Sequence, residues 1–387
     1  MSLEKKAIEL HEKLKGKLEV NSKIKIDSRE MLSLAYTPGV AEPCREIHTQ
    51  PEKVWNYTIK QNTIAVITDG SAVLGLGNIG AEASLPVMEG KCALFKELAR
   101  INAFPIAIKS QETKEIVSVI KNISPVFGGI NLEDISSPRC FEIESALQDL
   151  GIPVMHDDQH ATAIVVLAAL ENALKVVGKN LNEVKIVING IGAAGTAITK
   201  LILSKGKPKE ILLCDKNGIL FKGKTGMLEH HKELAEITNK NEIKGELKDA
   251  LIKADIFIGV SVPNILSEEM VKSMNSKPVI FALANPIPEI SIEKAREAGA
   301  EVIATGRSDD LNQVNNVLVF PGMFKGALEA KAVRINEEMK LAAAKALAEC
   351  IENPTKEKFI PSPLDKKVVE KISEAVKKAA IDSGVVR

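Results

Sequence analysis

VKIVINGIGAAG, residues 184–195, is the stretch on which the fold turns. An apolar run of strand length, Val184–Asn189, ends directly in Gly190-Ile-Gly192-Ala-Ala-Gly195, and a helical pattern, Ala194–Ser204, follows. In that setting each glycine has a physical reason. Gly190 permits a tight turn, Gly192 lets a pyrophosphate approach the backbone, and Gly195 lets helix and strand pack closely. The helix N-terminus then offers N–H groups and a positive dipole end to phosphates. Asp215 closes the next strand, ILLCD, twenty residues after Gly195. There a carboxylate meets the adenine ribose of a dinucleotide and repels a 2′-phosphate. NAD is therefore the expected cofactor, and Lys216 beside Asp215 keeps NADP open by offsetting that repulsion.

Outward from this motif, strand-length apolar segments alternate with amphipathic helical ones almost to the end. The strands expected are Thr63–Thr68, Pro105–Lys109, Val154–Asp157, Val184–Asn189, Ile211–Cys214, Asp255–Val260 and Val279–Leu283. The helices expected between them include Leu85–Arg100, Cys140–Leu150, Ala161–Val177 and Ala194–Ser204. Such alternation predicts an α/β fold of parallel sheets covered by helices. Two domains follow, an N-terminal α/β substrate and metal domain over 1–160 and a Rossmann-type, doubly wound dinucleotide domain over 161–387. The stretch before Thr63 reads as helix and then loop around Tyr36–Pro43, an arm or an oligomer contact. Lys325–Cys350 and Leu364–Ser383 read as C-terminal helices.

The 387 residues suit two or three domains. Apolar residues at 45% and charged residues at 26% describe a globular chain. Lys+Arg and Asp+Glu are both 51, so no basic excess exists to hold nucleic acid or an anionic membrane. The charged start, MSLEKKAIELHEKLKGK, lacks a signal-peptide core, and no uninterrupted apolar run reaches the roughly 18 residues of a membrane span. Five scattered cysteines without a CxxC pair predict reduced thiols in the cytoplasm and disfavour structural zinc.

Two acidic pairs stand at strand ends in the first half: Glu133-Asp134 in GGINLEDIS and Asp157-Asp158 in PVMHDDQH. Strand C-termini of a parallel sheet open onto one face, where ligands bind. Carboxylates converging there without cysteines suit a hard divalent cation, Mg²⁺ or Mn²⁺. The same pairs also suit solvated loop ends or helix caps, and spacing alone does not separate the two. His156 and His160 are expected in structural or supporting roles rather than as ligands. Lys91 in MEGKCALFK lies near apolar Val87, Cys92, Leu94 and Phe95. A lysine drawn into a cleft loses its proton more readily and can act as a base, although single helical lysines are mostly solvated. Tyr36 offers a phenolic proton or ordinary packing. Asn285 in LANP and the Asn315-Asn316 pair in QVNNVLVFPG, beside strand-like runs, offer amides to a carboxylate or simply make turns.

In order along the chain, YTPGVA (36–41), TDGSAVLGLGNIG (68–80), EGKCALFK (89–96), NLEDI (131–135), HDDQHATA (156–163), GIGAAG (190–195), ANP (284–286) and NNVLVFPG (315–322) resemble the malic enzyme family in its short prokaryotic form. The resemblance implies oxidative decarboxylation of (S)-malate to pyruvate and CO₂ with NAD(P) and a divalent metal. It implies metal ligands at Glu133, Asp134 and Asp158, a base at Lys91 for the C2 hydroxyl, and an acid at Tyr36 for C3 of enolpyruvate. Asp157 resembles the carboxylate that tunes Lys91. Asn285 and Asn316 resemble substrate and nicotinamide contacts, with Ala193, Ala194 and Ser261 joining the glycines around the cofactor. A homodimer is expected, with a small-molecule substrate as its other partner. One departure stands out. Larger relatives carry a substrate-gripping arginine after TDG, where this chain has Ser71-Ala72: either another cation binds that carboxylate or affinity for malate is low, with Ser71 expected as a substrate contact. The allosteric segments of longer relatives are expected to be absent, as is an acyl- or phosphotransferase domain after Arg387. Two rivals follow from the same residues. One is a malolactic or oxaloacetate-decarboxylating relative. The other is a non-catalytic nucleotide-sensing module, which would not need the acidic cluster together with Lys91.

Overall fold

The computed structural model describes residues 2–307 and 312–387. Two sheets divide the chain. The first contains β1 (Thr63–Thr68), β2 (Asn102–Ala107), β3 (Gly129–Leu132) and β4 (Val154–His156) in the order β2-β1-β3-β4, all parallel. The second contains β5 (Lys185–Asn189), β6 (Glu210–Asp215), β7 (Gly218–Ile219), β8 (Ile256–Gly259), β9 (Val279–Ala282) and β10 (Val302–Thr305) in the order β10-β9-β8-β5-β6-β7. Among the described residues only the two-residue edge strand β7 runs antiparallel. Helices cover both sheets, which is why central strands read as unbroken apolar runs: all six residues of β1 and all four of β8 and β9 are buried.

Chain order reverses direction once in each sheet. The chain steps from β1 to β2 on one side and then to β3 on the other. It likewise leaves β5 for β6 and returns to β8 on the opposite side. At such switch points the loops beyond the strand ends part and leave a crevice, the usual ligand site of an open α/β sheet. Here Glu133 and Asp134 follow β3, Gly190 follows β5 and Ser261 lies just beyond β8.

Helix Asp157–Val177 joins the two halves and is the spine of the core. By length and composition it could cross a membrane, but 72% of the relevant window is buried inside the protein. It starts at Asp157 rather than Ala161, so Asp157 and Asp158 occupy a helical first turn instead of a strand end, where the N-terminal dipole favours carboxylates. The C-terminal helices pack back onto the first half. Phe95 of helix Ala81–Ala99 lies 4.6 Å, ring to ring, from Phe320 and 5.5 Å from Phe324.

Two expectations are corrected here. The strand-like run in NNVLVFPG forms a 3-10 turn, Asn316–Leu318, and then helix Phe320–Glu329. Pro321 falls in the first turn of that helix, where a missing N–H costs nothing. The single helical stretch expected over Lys325–Cys350 is two helices, because the chain turns at Lys331 (φ 53°) before Glu337–Ala348 begins.

Candidate active site

A cleft of about 680 Å³ opens between the two sheets and is lined from both. Lys91, Glu133, Asp134 and Asp158 come from the first half, and Gly192, Ala193, Ala194, Ser261, Asn285 and Asn316 from the second. Lys91 sits on helix Ala81–Ala99, and its ammonium is buried. Its Nζ donates to Asp157 Oδ2 at 2.6 Å and lies 2.9 Å from Glu133 Oε1, above the Phe320 ring at 4.2 Å from the centroid. Asn316 Nδ2 donates to the same Asp157 oxygen at 2.5 Å. Burial opposes the charge on Lys91, but Asp157, Glu133 and Asp158 outweigh it and hold the ammonium above the ordinary lysine range. That is the reverse of the shift expected from burial alone, and the carboxylates are the reason.

Glu133, Asp157 and Asp158 each offer an oxygen within 4.8 Å of the others. Asp134, expected in this group, lines the cleft beside it with its backbone at φ 53°, a left-handed conformation that Asp tolerates better than most residues. Its amide donates to Asp158 Oδ2 at 2.8 Å. The oxygens Asp134 Oδ2 and Asp157 Oδ1 are buried without a hydrogen-bond partner. Burial, and then the charge of Asp158, push the Asp134 carboxyl up to about 8, and burial also raises Glu133 well above the carboxylate range. Crowded carboxylates with orphaned oxygens fit a hard divalent cation, which would relieve both defects.

Behind the acidic turn lies a second polar group that the sequence reading did not find. Glu144, on helix Arg139–Ala146, accepts from the His156 amide at 2.9 Å, from Gln159 at 3.3 Å and from His160 Nε2 at 2.9 Å. Lys340 donates to the other nitrogen of His160 at 2.9 Å. His160 is thus occupied on both sides, in keeping with a supporting role. Burial works against the Glu144 carboxylate, yet His160 and Lys340 prevail and hold it down at about 2. A carboxyl held below its ordinary range contributes to stability at neutral pH, but burial also lowers His160. The imidazole there adds a hydrogen bond rather than a charge, and the contribution is on the order of 1–3 kcal/mol. Glu144→Gln is expected to lose most of that at pH 7. Because the folded value lies below the unfolded one, the contribution is complete above about pH 4.5 and vanishes as pH falls toward 2. Urea midpoints of the two proteins should converge over that window. A gap independent of pH would show that the charge is not what stabilises.

On the cofactor side, a Cβ at Gly190 (φ 105°) would lie 2.6 Å from the Val260 carbonyl, so only glycine fits this turn. A Cβ at Gly192 would meet nothing within 4 Å, which leaves the backbone open to a ligand. Gly195 is needed for packing, since its Cβ would strike the Gly190 carbonyl. Asp215 ends β6, and its Oδ1 accepts the Asn217 amide at 2.8 Å with Lys224 Nζ 3.8 Å away. These residues can receive a dinucleotide along the β5–β8 switch point.

Two expected site residues lie outside the lining of this cleft. Ser71 does not line the cleft. Its hydroxyl donates to Asp69 at 2.5 Å and accepts the Ser136 amide at 2.9 Å, so it is used in holding its own loop. Arg139 completes that tie through two bonds to Asp69 Oδ2. Tyr36 is 66% exposed, outside the cleft of its own chain. Asn315, offered with Asn316 as an amide donor, lines the cleft as expected, and Ser136, Ser137 and Thr162 line it without having been singled out.

Two parallel α/β domains, a glycine turn at one switch point and a lysine–carboxylate cluster at the other define a dinucleotide-binding oxidoreductase. The malic enzyme N-terminal domain matches residues 15–148 and the malic enzyme NAD-binding domain matches residues 160–382. The chain belongs to the malic enzyme family. It is 53% identical to the bifunctional malic/malolactic enzyme of Bacillus subtilis, over 100% of this chain and 95% of that protein. It is 54% identical to the NAD-dependent malic enzyme of Geobacillus stearothermophilus, over 96% and 78%. The crystal structure of the Thermotoga maritima NAD-dependent malic enzyme superposes with a TM-score of 0.93 at 52% identity, covering 96% of this chain and 98% of that one. Both NAD- and NADP-dependent enzymes occur among the relatives.

Proposed function

We propose that this chain oxidatively decarboxylates (S)-malate to pyruvate and CO₂ while reducing NAD, with Mg²⁺ or Mn²⁺ as the metal. The observation that carries this reading is Lys91, bonded to Asp157 and Glu133, in the cleft that also takes in the glycine turn. Glu133, Asp158 and the neighbouring Asp134 would hold the cation, and Gly190–Gly195, Asp215, Ser261 and Asn285 the dinucleotide. Bound there, the metal supplies a Lewis acid for substrate oxygens and the nicotinamide a hydride acceptor.

Lys91 is the proton carrier at the C2 hydroxyl. Its carboxylate neighbours keep it protonated while their charge is uncompensated. A cation that shared the charge of Glu133 and Asp158 would leave Asp157 alone against burial, and so would ease loss of the lysine's proton. Asp157 and Asn316 hold the lysine's direction. Tyr36 supplies the proton that C3 takes up after CO₂ departs. Because it stands outside its own cleft, we infer a homodimer in which the N-terminal arm reaches a second copy. The arm exposes Ile8, Val20, Ile26 and Leu34 as well as Tyr36, an apolar series that a partner would cover. Five unpaired cysteines favour a cytoplasmic setting.

NADH absorbance, followed with malate, Mn²⁺ and either cofactor, tests the reaction. NAD should be favoured over NADP by at least a few-fold in kcat/KM, since one unfavourable charge contact is worth on the order of 1 kcal/mol. Asp215→Ser should narrow the gap. A wild-type preference for NADP would mean that Lys216 or Lys224 dominates. The Bacillus subtilis relative's second, malolactic designation gives the alternative reading weight. In that case malate yields lactate and no NADH accumulates.

A further inference from the structure

Glu289 is completely buried, and among the described residues no cation pairs with it. Its two oxygens serve two different turns. Oε1 accepts the Ser261 amide at 3.0 Å, after β8, and Oε2 accepts the Ala284 amide at 3.0 Å, after β9. The Ser261 hydroxyl in turn accepts from Asn189 at 2.6 Å, at the end of β5. One carboxylate therefore links three adjacent strand ends on the cofactor side of the cleft. The fold makes room for it: a Cβ on Gly259, the last residue of β8, would lie 2.5 Å from the Glu289 carboxyl carbon. Burial raises the Glu289 carboxyl, so holding it here costs free energy. An apolar side chain would fill the same space without that cost. What it could not do is accept two N–H groups from turns that have no other partner for them.

We infer that Glu289 is a positioning residue for the bound dinucleotide, fixing Ser261 and, through Ala284, Asn285 at the cleft wall. The inference rests on the dinucleotide reading of this cleft. A glutamine is isosteric but cannot replace the carboxylate. Its oxygen can accept one amide, while its NH₂ meets the other donor to donor. One turn is then left unsatisfied, a defect worth on the order of tenfold or more in an equilibrium that needs the turn ordered.

The test is NADH fluorescence titration of wild type and Glu289→Gln, with Mn²⁺ affinity measured in parallel. Glu289→Gln should weaken NADH binding on the order of tenfold and leave Mn²⁺ affinity unchanged, because Glu133, Asp134 and Asp158 lie in the first half of the chain. General loosening of the fold would instead weaken both. Amide exchange in the wild type gives a second measurement that needs no variant: NADH should slow exchange at Ser261 and Ala284. A folded Glu289→Gln that binds NADH within twofold of wild type overturns the inference, as do Ser261 and Ala284 amides indifferent to NADH. Failure of the wild type to bind NADH at all would remove the dinucleotide reading itself, and this one with it.

Discussion

Exhaustive chelation is expected to abolish turnover, and added Mn²⁺ or Mg²⁺ to restore it. Three oxygens within 4.8 Å of one another, from Glu133, Asp157 and Asp158, repel when all are charged, and Lys91 neutralises only part of that charge. Burial first, and the neighbouring carboxylates after it, push the Asp134 carboxyl up to about 8 and raise Glu133 well above the carboxylate range. A cation must displace those protons to bind. Apparent Mn²⁺ affinity should therefore fall below about pH 8, by roughly tenfold per pH unit for each proton released. Titrations at pH 6, 7 and 8 read this directly, and an affinity flat across that range would show carboxylates already ionised. Losing a supporting residue around a metal typically costs about 10–100-fold in affinity, so Asp158→Ala, losing a ligand, should cost at least roughly 100-fold. Its activity should then return in part at high Mn²⁺. Full activity after chelation would sink the metal assignment.

The fold was legible where one local pattern carried one meaning. VKIVIN running into GIGAAG could be read as strand, turn and helix because strand burial, glycine geometry and helix start all agree within twelve residues. Phe320 misled for the opposite reason. VLVF has the composition of a strand, yet Val317 and Leu318 lie in a 3-10 turn and Phe320, packed against Phe95, starts a helix with Pro321 in its first turn. Within the site, Lys91 and Asp157 are 66 residues apart, and Asn316 and Asp157 are 159 apart. No spacing rule reaches that far. By spacing alone the acidic pairs read more readily as loop ends or caps, and Asp157 and Asp158 do fall in the first turn of a helix, after His156 at the cap position. Their chemistry was suggested only by resemblance across the whole chain. Ser71 shows the limit of reading by position. It stands where relatives place an arginine, yet its hydroxyl is committed to Asp69 and Ser136. Glu144 and Glu289 escaped notice because a buried carboxylate that accepts backbone amides has no sequence signature.

Lys91→Ala is expected to depress NADH formation by roughly 10²-fold or more, the usual contribution of a general base. The substitution removes an ammonium held between Asp157, Glu133 and the Phe320 ring, leaving a space of matching size and a negative wall. Ammonia or methylamine should enter it and restore part of the rate. Tyr36→Phe acts at a different point in the cycle. It removes only a phenolic proton donor from a residue that is 66% exposed, so folding and NAD binding should be unchanged. Its turnover should fall, but NADH should appear in a burst before the slow protonation of C3 limits the cycle, whereas Lys91→Ala shows no burst. Combining the two variants tests where Tyr36 works. If each arm serves the partner's cleft, a dimer of one Lys91→Ala chain and one Tyr36→Phe chain has one site lacking both groups and one site intact. Refolding the inactive proteins together should then regain activity, while mixing them without dissociation should not. If Tyr36 instead served its own chain, every site in the mixed dimer would lack one group and no activity would return. Equal loss of the NADH-forming step in both variants, without burst or amine rescue, would overturn the separate roles and make the two residues one proton-relay pair.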